Sequence, residues 1–231
     1  MNMEQLEWRD AAPGGGCAPM RAGDVHVWQF ELTPGDDEAL LNVDEHARAQ
    51  RFVHRRDRDR YVAAHGWMRR ILGAYIGRSA KALSFGRRSD GKPVLVDADL
   101  CFNLSHSGSC GLLAVAGDAE LGVDVEAWCT VDATLADAVL SPGEHAALCG
   151  RGLDAPLLLG CWTRKEACPK ALGCGLMRDP RSIDVGLDQA TREVLGVELR
   201  ALPFGEGYSA ALAVVGGGRS ALLLRAQRAV H

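Results

Sequence analysis

Two stretches with a helical apolar period, residues 44–76 and 155–172, are each accompanied by short segments of β-forming residues, an order that favours an α+β class. In the first half, VHVWQFEL at 25–32 predicts the first strand. Thr33-Pro34 followed by Asp36, Asp37 and Glu38 reads as a helix start. From Asp44 to Ile76 the pattern predicts helix in two pieces, with Phe52, Val53, Tyr61, Val62, Trp67, Ile71, Leu72 and Tyr75 on a buried face and Gly77 as the stop. Short strands follow at 83–86, 100–104 and 111–116, with a turn at Ser89-Asp90-Gly91.

The second half opens with LGVDVE at 121–126 and passes to helix at 133–140. Ser141 and Glu144 have capping-box spacing, so another helix begins there. The longest helix of this half is expected from Ala155 to Leu172, and strands at 194–202, 208–215 and 221–227 end the chain. Gly216-Gly217-Gly218 marks the last two as a hairpin. The expected organisation is a loose segment over 1–23, a lobe over 24–118 and a lobe over 119–231, the two being similarly sized α/β units with a pseudo-two-fold relation.

A length of 231 residues suffices for one large domain or two small ones with cores of their own. A net charge of −4 argues against a general nucleic-acid binder, although a local Arg and Lys cluster can still serve a small polyanion. Eight cysteines without zinc-knuckle or redox-pair spacing, after a polar and acidic start, read as reduced thiols of a cytoplasmic protein. No apolar run approaches the roughly 20 residues of a membrane span.

The chemistry is concentrated in three segments. On a strand, Asp124 and Glu126 point to one face, and two adjacent carboxylates repel unless a cation or an arginine lies between them. A hard divalent ion such as Mg2+ suits oxygen ligands of this kind; a solvated strand edge is the plainer alternative, which the flanking Leu121, Val123 and Val125 disfavour. Glu166 and Lys170 are four apart and share a helix face with Trp162, either as a surface ion pair or as part of a site. His106, in Ser105-His106-Ser107-Gly108 after a strand, offers an imidazole and hydroxyls to phosphate oxygens, or is an ordinary turn residue. The arginines from Arg48 to Arg60 alternate with Asp57 and Asp59, as a solvated helix face or as a source of charge for a remote phosphate.

Taken together and in order, Asn103–Ser107, Gly122–Glu126 and Trp162–Leu176 resemble the motifs of the surfactin-type 4′-phosphopantetheinyl transferases, and Gly91-Lys92-Pro93 fits the same family's G-K-P. The resemblance spans residues 45–185 and implies a single-chain, monomeric enzyme with a cleft between two lobes for coenzyme A. It implies transfer of 4′-phosphopantetheine from coenzyme A to a serine of an apo acyl or peptidyl carrier protein of fatty acid, polyketide or nonribosomal peptide synthesis. Mg2+ would be held by Asp124, Glu126 and Glu166, with Glu166 as the base, directly or through water, and Lys170 stabilising charge. Arg48, Arg60, Lys92, Ser105, His106 and Lys170 would bind coenzyme A. Nucleic acid and membrane are not expected partners. A magnesium-dependent hydrolase of nucleotide diphosphates and a non-catalytic coenzyme A binder are the alternatives. Pro169 departs from a regular helix and predicts a kink or loosened turn over Lys165 to Pro169 that re-aims Lys170.

Overall fold

A computed structural model describes residues 6–12, 20–96, 98–148, 151–174 and 179–227. Its strands are β1 (Trp8–Ala11), β2 (Asp24–Glu31), β3 (Phe85–Arg87), β4 (Pro93–Leu95), β5 (Cys101–Ser107), β6 (Cys110–Ala116) and β7 (Leu121–Ala127), then β8 (Arg192–Val194), β9 (Val197–Ala201), β10 (Tyr208–Val215) and β11 (Ser220–Ala226). The helices are α1 (Val43–Ala49), α2 (Arg55–Ile76), α3 (Ala133–Val139), α4 (Pro142–Leu148) and α5 (Ala155–Leu172). Thr33-Pro34 leads not into an α-helix but into a single 3-10 turn at Asp36–Leu40. Of the expected loose segment 1–23, Trp8–Ala11 form an edge strand, whereas 1–5 and 13–19 lie outside the described residues.

The molecule is layered as helix, sheet, sheet, helix. The first sheet has the order β1-β11-β2-β6-β5 and the second β7-β10-β9-β8. Trp67, Met68, Ile71 and Leu72 of α2 pack on Trp28, Phe30, Phe102, Leu113 and Val115 of one face of the first sheet. The opposite face, with Val25, Val27, Leu112 and Ala114, meets Leu121, Val123, Val125 and Leu212 of the second sheet. On the far side of the second sheet, Leu158, Cys161, Ala167 and Cys168 of α5 cover Leu199, Ala211 and Ala213. Strand β6 is buried along its whole length, which explains its unbroken apolar sequence: it has no solvent face to alternate with.

Helix α2 ends at Gly77 in the left-handed conformation (φ 66°), as its sequence predicts. Phe52 and Val53 do not join its buried face. They occupy the corner between α1 and α2, where Val53 is 91% exposed. The last two strands are not a hairpin. Strand β10 has both edges taken by β7 and β9, and β11 instead enters the first sheet in parallel between β1 and β2. Three successive left-handed glycines, Gly216 (φ 79°), Gly217 (φ 56°) and Gly218 (φ 69°), carry the chain from one sheet to the other. Tight two-residue hairpins lie earlier, between β5 and β6 and between β8 and β9, the latter with Leu195 (φ 57°) and Gly196 (φ 75°) both at positive φ. Residues 117–120 connect β6 of the first sheet to β7 of the second, and β11 crosses back over that division.

The contact that positions the site is the seat of α5 on β7. A Cβ on Gly122 would stand 2.2 Å from the Ala167 carbonyl oxygen and 2.6 Å from the Ala171 amide nitrogen, both backbone atoms that cannot rotate away. Gly122→Ala is therefore expected to lever α5 off β7, destabilising the fold by about 1–3 kcal/mol. The transfer proposed below should also slow, because α5 carries Glu166 and Lys170. Urea unfolding and initial rates measured on the same preparation check both effects.

Candidate active site between β7 and α5

Alternation along β7 sends Val123 and Val125 into the inter-sheet core and Gly122, Asp124 and Glu126 toward α5. Asp124 is only 4% exposed. Its Oδ1 accepts from Lys170 Nζ at 2.5 Å and from Ser105 Oγ at 2.8 Å, while its Oδ2 is buried and accepts no hydrogen bond of normal geometry. Glu126 accepts from Ser107 Oγ at 2.8 Å, and the Trp162 indole is near enough to stabilise its charged form.

Burial, followed by the charges of Asp124 and Glu126, raises the Glu166 carboxyl above the usual range, so all three carboxylates feel one another's field. Burial is also the main cause of the raised values at Asp124 and Glu126; Lys170 opposes it at Asp124, and the charge of Asp124 adds to it at Glu126.

Among the described residues, no three His, Cys, Asp or Glu side chains stand together as a ready set of metal ligands. Of the expected triad, Glu166 lies within electrostatic reach of Asp124 and Glu126, while Asp124 is turned to Lys170 and Ser105. The donor set nonetheless fits a hard divalent ion. It has three oxygen acids whose mutual repulsion a cation would relieve, and one of them holds a buried oxygen, Asp124 Oδ2, without a hydrogen bond of normal geometry.

Helix α5 is continuous α-helix through Pro169, so the expected loosened turn is not seen. Pro169 lies in the closing turns, where its carbonyl accepts from the Gly173 cap and from Cys174, and Lys170 reaches Asp124. The end of the third motif, Gly175 and Leu176, lies outside the described residues.

On β5, the alternation in Ser105-His106-Ser107 splits the motif. Both serines face β7 and bond Asp124 and Glu126, whereas His106 faces a cleft of about 630 Å3 bounded by α1, α2, β3, β4 and β5. Arg48, Phe52, Tyr61, His65, Phe85, Arg87 and Asn103 also line that cleft. Partial desolvation, then the charges of Lys170 and Arg60, lowers the His106 pKa, although the residue is exposed to solvent. Arg48 is thus brought to the cleft, whereas Arg60 pairs with Asp57 at 3.7 Å.

Two expected coenzyme A ligands are engaged elsewhere. Lys92 Nζ donates to Glu120 Oε2 at 2.8 Å and to the Leu121 carbonyl at 2.9 Å, pinning the β3–β4 turn to the start of β7. Ser105 spends its hydroxyl on Asp124. Arg55, Arg56 and Arg58 form surface ion pairs with Asp59, Asp57 and Glu38.

Sequence reasoning missed Tyr61, His65, Phe85 and Arg87 as cleft residues. The rings of Tyr61 and His65 lie with centroids 3.9 Å apart, and His65 Nδ1 is 3.0 Å from the Tyr61 carbonyl. Burial pushes the His65 pKa down to about 4. The folded state thus keeps the ring neutral while the unfolded chain takes a proton below about 6.5. Its contribution to stability is complete above that value and is lost as pH falls toward 4, on the order of 3 kcal/mol over the window. Urea midpoints at several pH values should show this fall in the parent protein and a smaller one in His65→Gln; parallel profiles would contradict it.

Residues 120–213 match the 4′-phosphopantetheinyl transferase superfamily, and residues 37–118 match the family described as 4′-phosphopantetheinyl transferase, N-terminal. The chain is 35% identical over 191 residues to the 4′-phosphopantetheinyl transferase HetI of Nostoc sp. (strain PCC 7120), covering 76% of this chain and 78% of that protein. It is 26% identical over 165 residues to the 4′-phosphopantetheinyl transferase psf-1 of Bacillus pumilus, covering 66% and 70% of the two chains. It is 41% identical over 88 residues to the 4′-phosphopantetheinyl transferase AcpT of Salmonella typhimurium, covering 36% and 46%. With β7, α5 and the cleft carrying the motif residues of that group, the chain belongs to the 4′-phosphopantetheinyl transferase superfamily.

Proposed function

We propose that this chain transfers the 4′-phosphopantetheine group of coenzyme A to a serine hydroxyl of an apo carrier protein and releases adenosine 3′,5′-bisphosphate. The observation that carries the reading is the Asp124–Lys170 pair, with Glu126 and Glu166 within reach of its charge, beside a cleft lined by Arg48, Arg87 and His106. The cationic cleft suits the phosphates of coenzyme A, and the acidic cluster suits the divalent ion that a diphosphate brings with it.

Asp124, Glu126 and Glu166 would hold Mg2+, which when bound supplies positive charge to the diphosphate oxygens. Arg48 and His106 bind phosphate groups. Glu166, with its carboxyl raised by burial and by its acidic neighbours, receives the proton of the carrier serine, directly or across a water. The serine oxygen bonds to the phosphorus that bears pantetheine, while that phosphorus parts from the bridging oxygen. The electron pair leaves with adenosine 3′,5′-bisphosphate, and Lys170 stabilises the charge that develops. The surfactin-type, single-chain monomeric arrangement with two pseudo-symmetric lobes is part of this proposal. The likeness in kind of the two helix-covered sheets supports it.

Coenzyme A consumption, followed with and without an apo carrier, separates the proposed transfer from hydrolysis. Loss of coenzyme A that requires the carrier is the expected result. Equal loss without it would point to a diphosphate hydrolase, and no loss under either condition to a silent binder.

A further inference from the structure

Strands β5 and β7 run side by side at the junction of the two sheets, yet they belong to different sheets and are joined by side chains. Three alternate residues of β5 make the stitches. Asn103 Oδ1 accepts from the Val123 amide at 2.8 Å, Ser105 Oγ donates to Asp124 Oδ1 at 2.8 Å, and Ser107 Oγ donates to Glu126 Oε2 at 2.8 Å. Ser107 Oγ also accepts from the Ala127 amide at 3.1 Å. With its lone pair directed to that amide, the hydroxyl proton of Ser107 is committed to Glu126.

From the other side, α5 reaches the same two carboxylates. Lys170 donates to Asp124, and the Trp162 indole approaches Glu126. Each acid is therefore held by a hydroxyl of the first sheet, and Asp124 also by the helix that covers the second.

We propose that Ser105 and Ser107 are positioning residues, whose hydroxyls set the metal-binding carboxylates of β7 from the neighbouring sheet, so that ion affinity depends on the β5–β7 seam. This rests on the proposed metal site and extends it to residues that touch neither ion nor phosphate. The physical reason is the freedom of a carboxylate. Asp124 and Glu126 repel each other and can rotate, and a hydroxyl fixed on a strand holds one oxygen so that the other is presented to the ion. Asn103 makes the matching stitch to a backbone amide alone, so it supports the seam without touching a carboxylate, and it separates the two roles.

The test is Mn2+ titrated into the full chain with saturating coenzyme A, free ion being read by electron paramagnetic resonance, alongside urea unfolding. Removing such outer-shell partners usually weakens metal binding by about 10–100-fold. Ser107→Ala is expected to weaken Mn2+ binding within that range, and Ser107→Thr, which keeps the hydroxyl, to restore it. Asn103→Ala should lower stability and leave Mn2+ affinity close to that of the parent. If Ser107→Ala does not fold, Ser107→Cys, with its weak thiol donor, carries the same comparison.

Ser107→Ala with parental affinity would overturn the inference. An equal loss in Asn103→Ala would do so too, since the serines would then be ordinary stitches. Failure of the parent protein to bind Mn2+ would instead remove the metal site itself, and the inference with it.

Discussion

Asp124→Asn is expected to lose transfer activity by about 100–1,000-fold or more, the scale for removing a group that stabilises charge in a transition state. Its thermal stability in EDTA should be no lower than that of the parent protein. Burial raises the Asp124 pKa despite Lys170 and Ser105, so the ionised form opposes folding at neutral pH. Asparagine keeps an oxygen for Ser105 and removes that opposition, while the partly exposed Lys170 can turn to water. A function gained against stability is the usual signature of an active-site charge. A variant that is inactive because it unfolds would contradict this account of Asp124.

The largest effect on stability is expected at Glu144→Ala. Glu144 closes the capping box of α4, its Oε2 accepting from the Ser141 amide at 2.8 Å and its amide donating to Ser141 Oγ at 3.1 Å. The same carboxylate reaches Lys165 Nζ at 2.6 Å and accepts from the Val185 amide at 2.8 Å, and both charged side chains are 0% exposed. Truncating it leaves an ammonium buried with only the carbonyls of Val139 and Pro180, together with two amides that lose their acceptor. Breaking one side of such a pair costs about 3–5 kcal/mol, a large share of the roughly 5–15 kcal/mol that stabilises an ordinary domain. Urea unfolding should show the drop. A paired Glu144→Leu, Lys165→Met protein should recover much of it, because the stranded charge is then gone.

Both residues were visible in the sequence in other guises, Glu144 as a cap and Lys165 as the lysine before Glu166. Their meeting joins positions 21 apart in sequence through the tertiary fold, and local spacing does not encode that. The same limit applies at the site. Alternation on β7 correctly put Asp124 and Glu126 on one face, and the helix register put Lys170 beside them. The same alternation in Ser105-His106-Ser107 would have assigned the serines to β7 and the histidine to the cleft, had the neighbour of β5 been known.

Long helices and their stops were legible because period and capping act locally; α5 runs from Ala155 to Leu172 as its pattern predicts. Gly216-Gly217-Gly218 misled because turn chemistry says that a chain bends, whereas the free edge beside β2 decides where it goes. Pro169 misled for a related reason. An interior penalty assumes a helix that must continue, and this one closes within a turn of the proline.

The intact mass of an apo carrier protein, after incubation with this chain, coenzyme A and Mg2+, tests the central claim most directly. The account predicts a gain of one phosphopantetheine on the carrier, matched by an equal amount of adenosine 3′,5′-bisphosphate. No gain is expected on a carrier whose acceptor serine is alanine, or in the presence of EDTA. Carriers of fatty acid, polyketide and nonribosomal peptide synthesis that all keep their apo mass while coenzyme A is consumed, or a gain undiminished by EDTA, would contradict it.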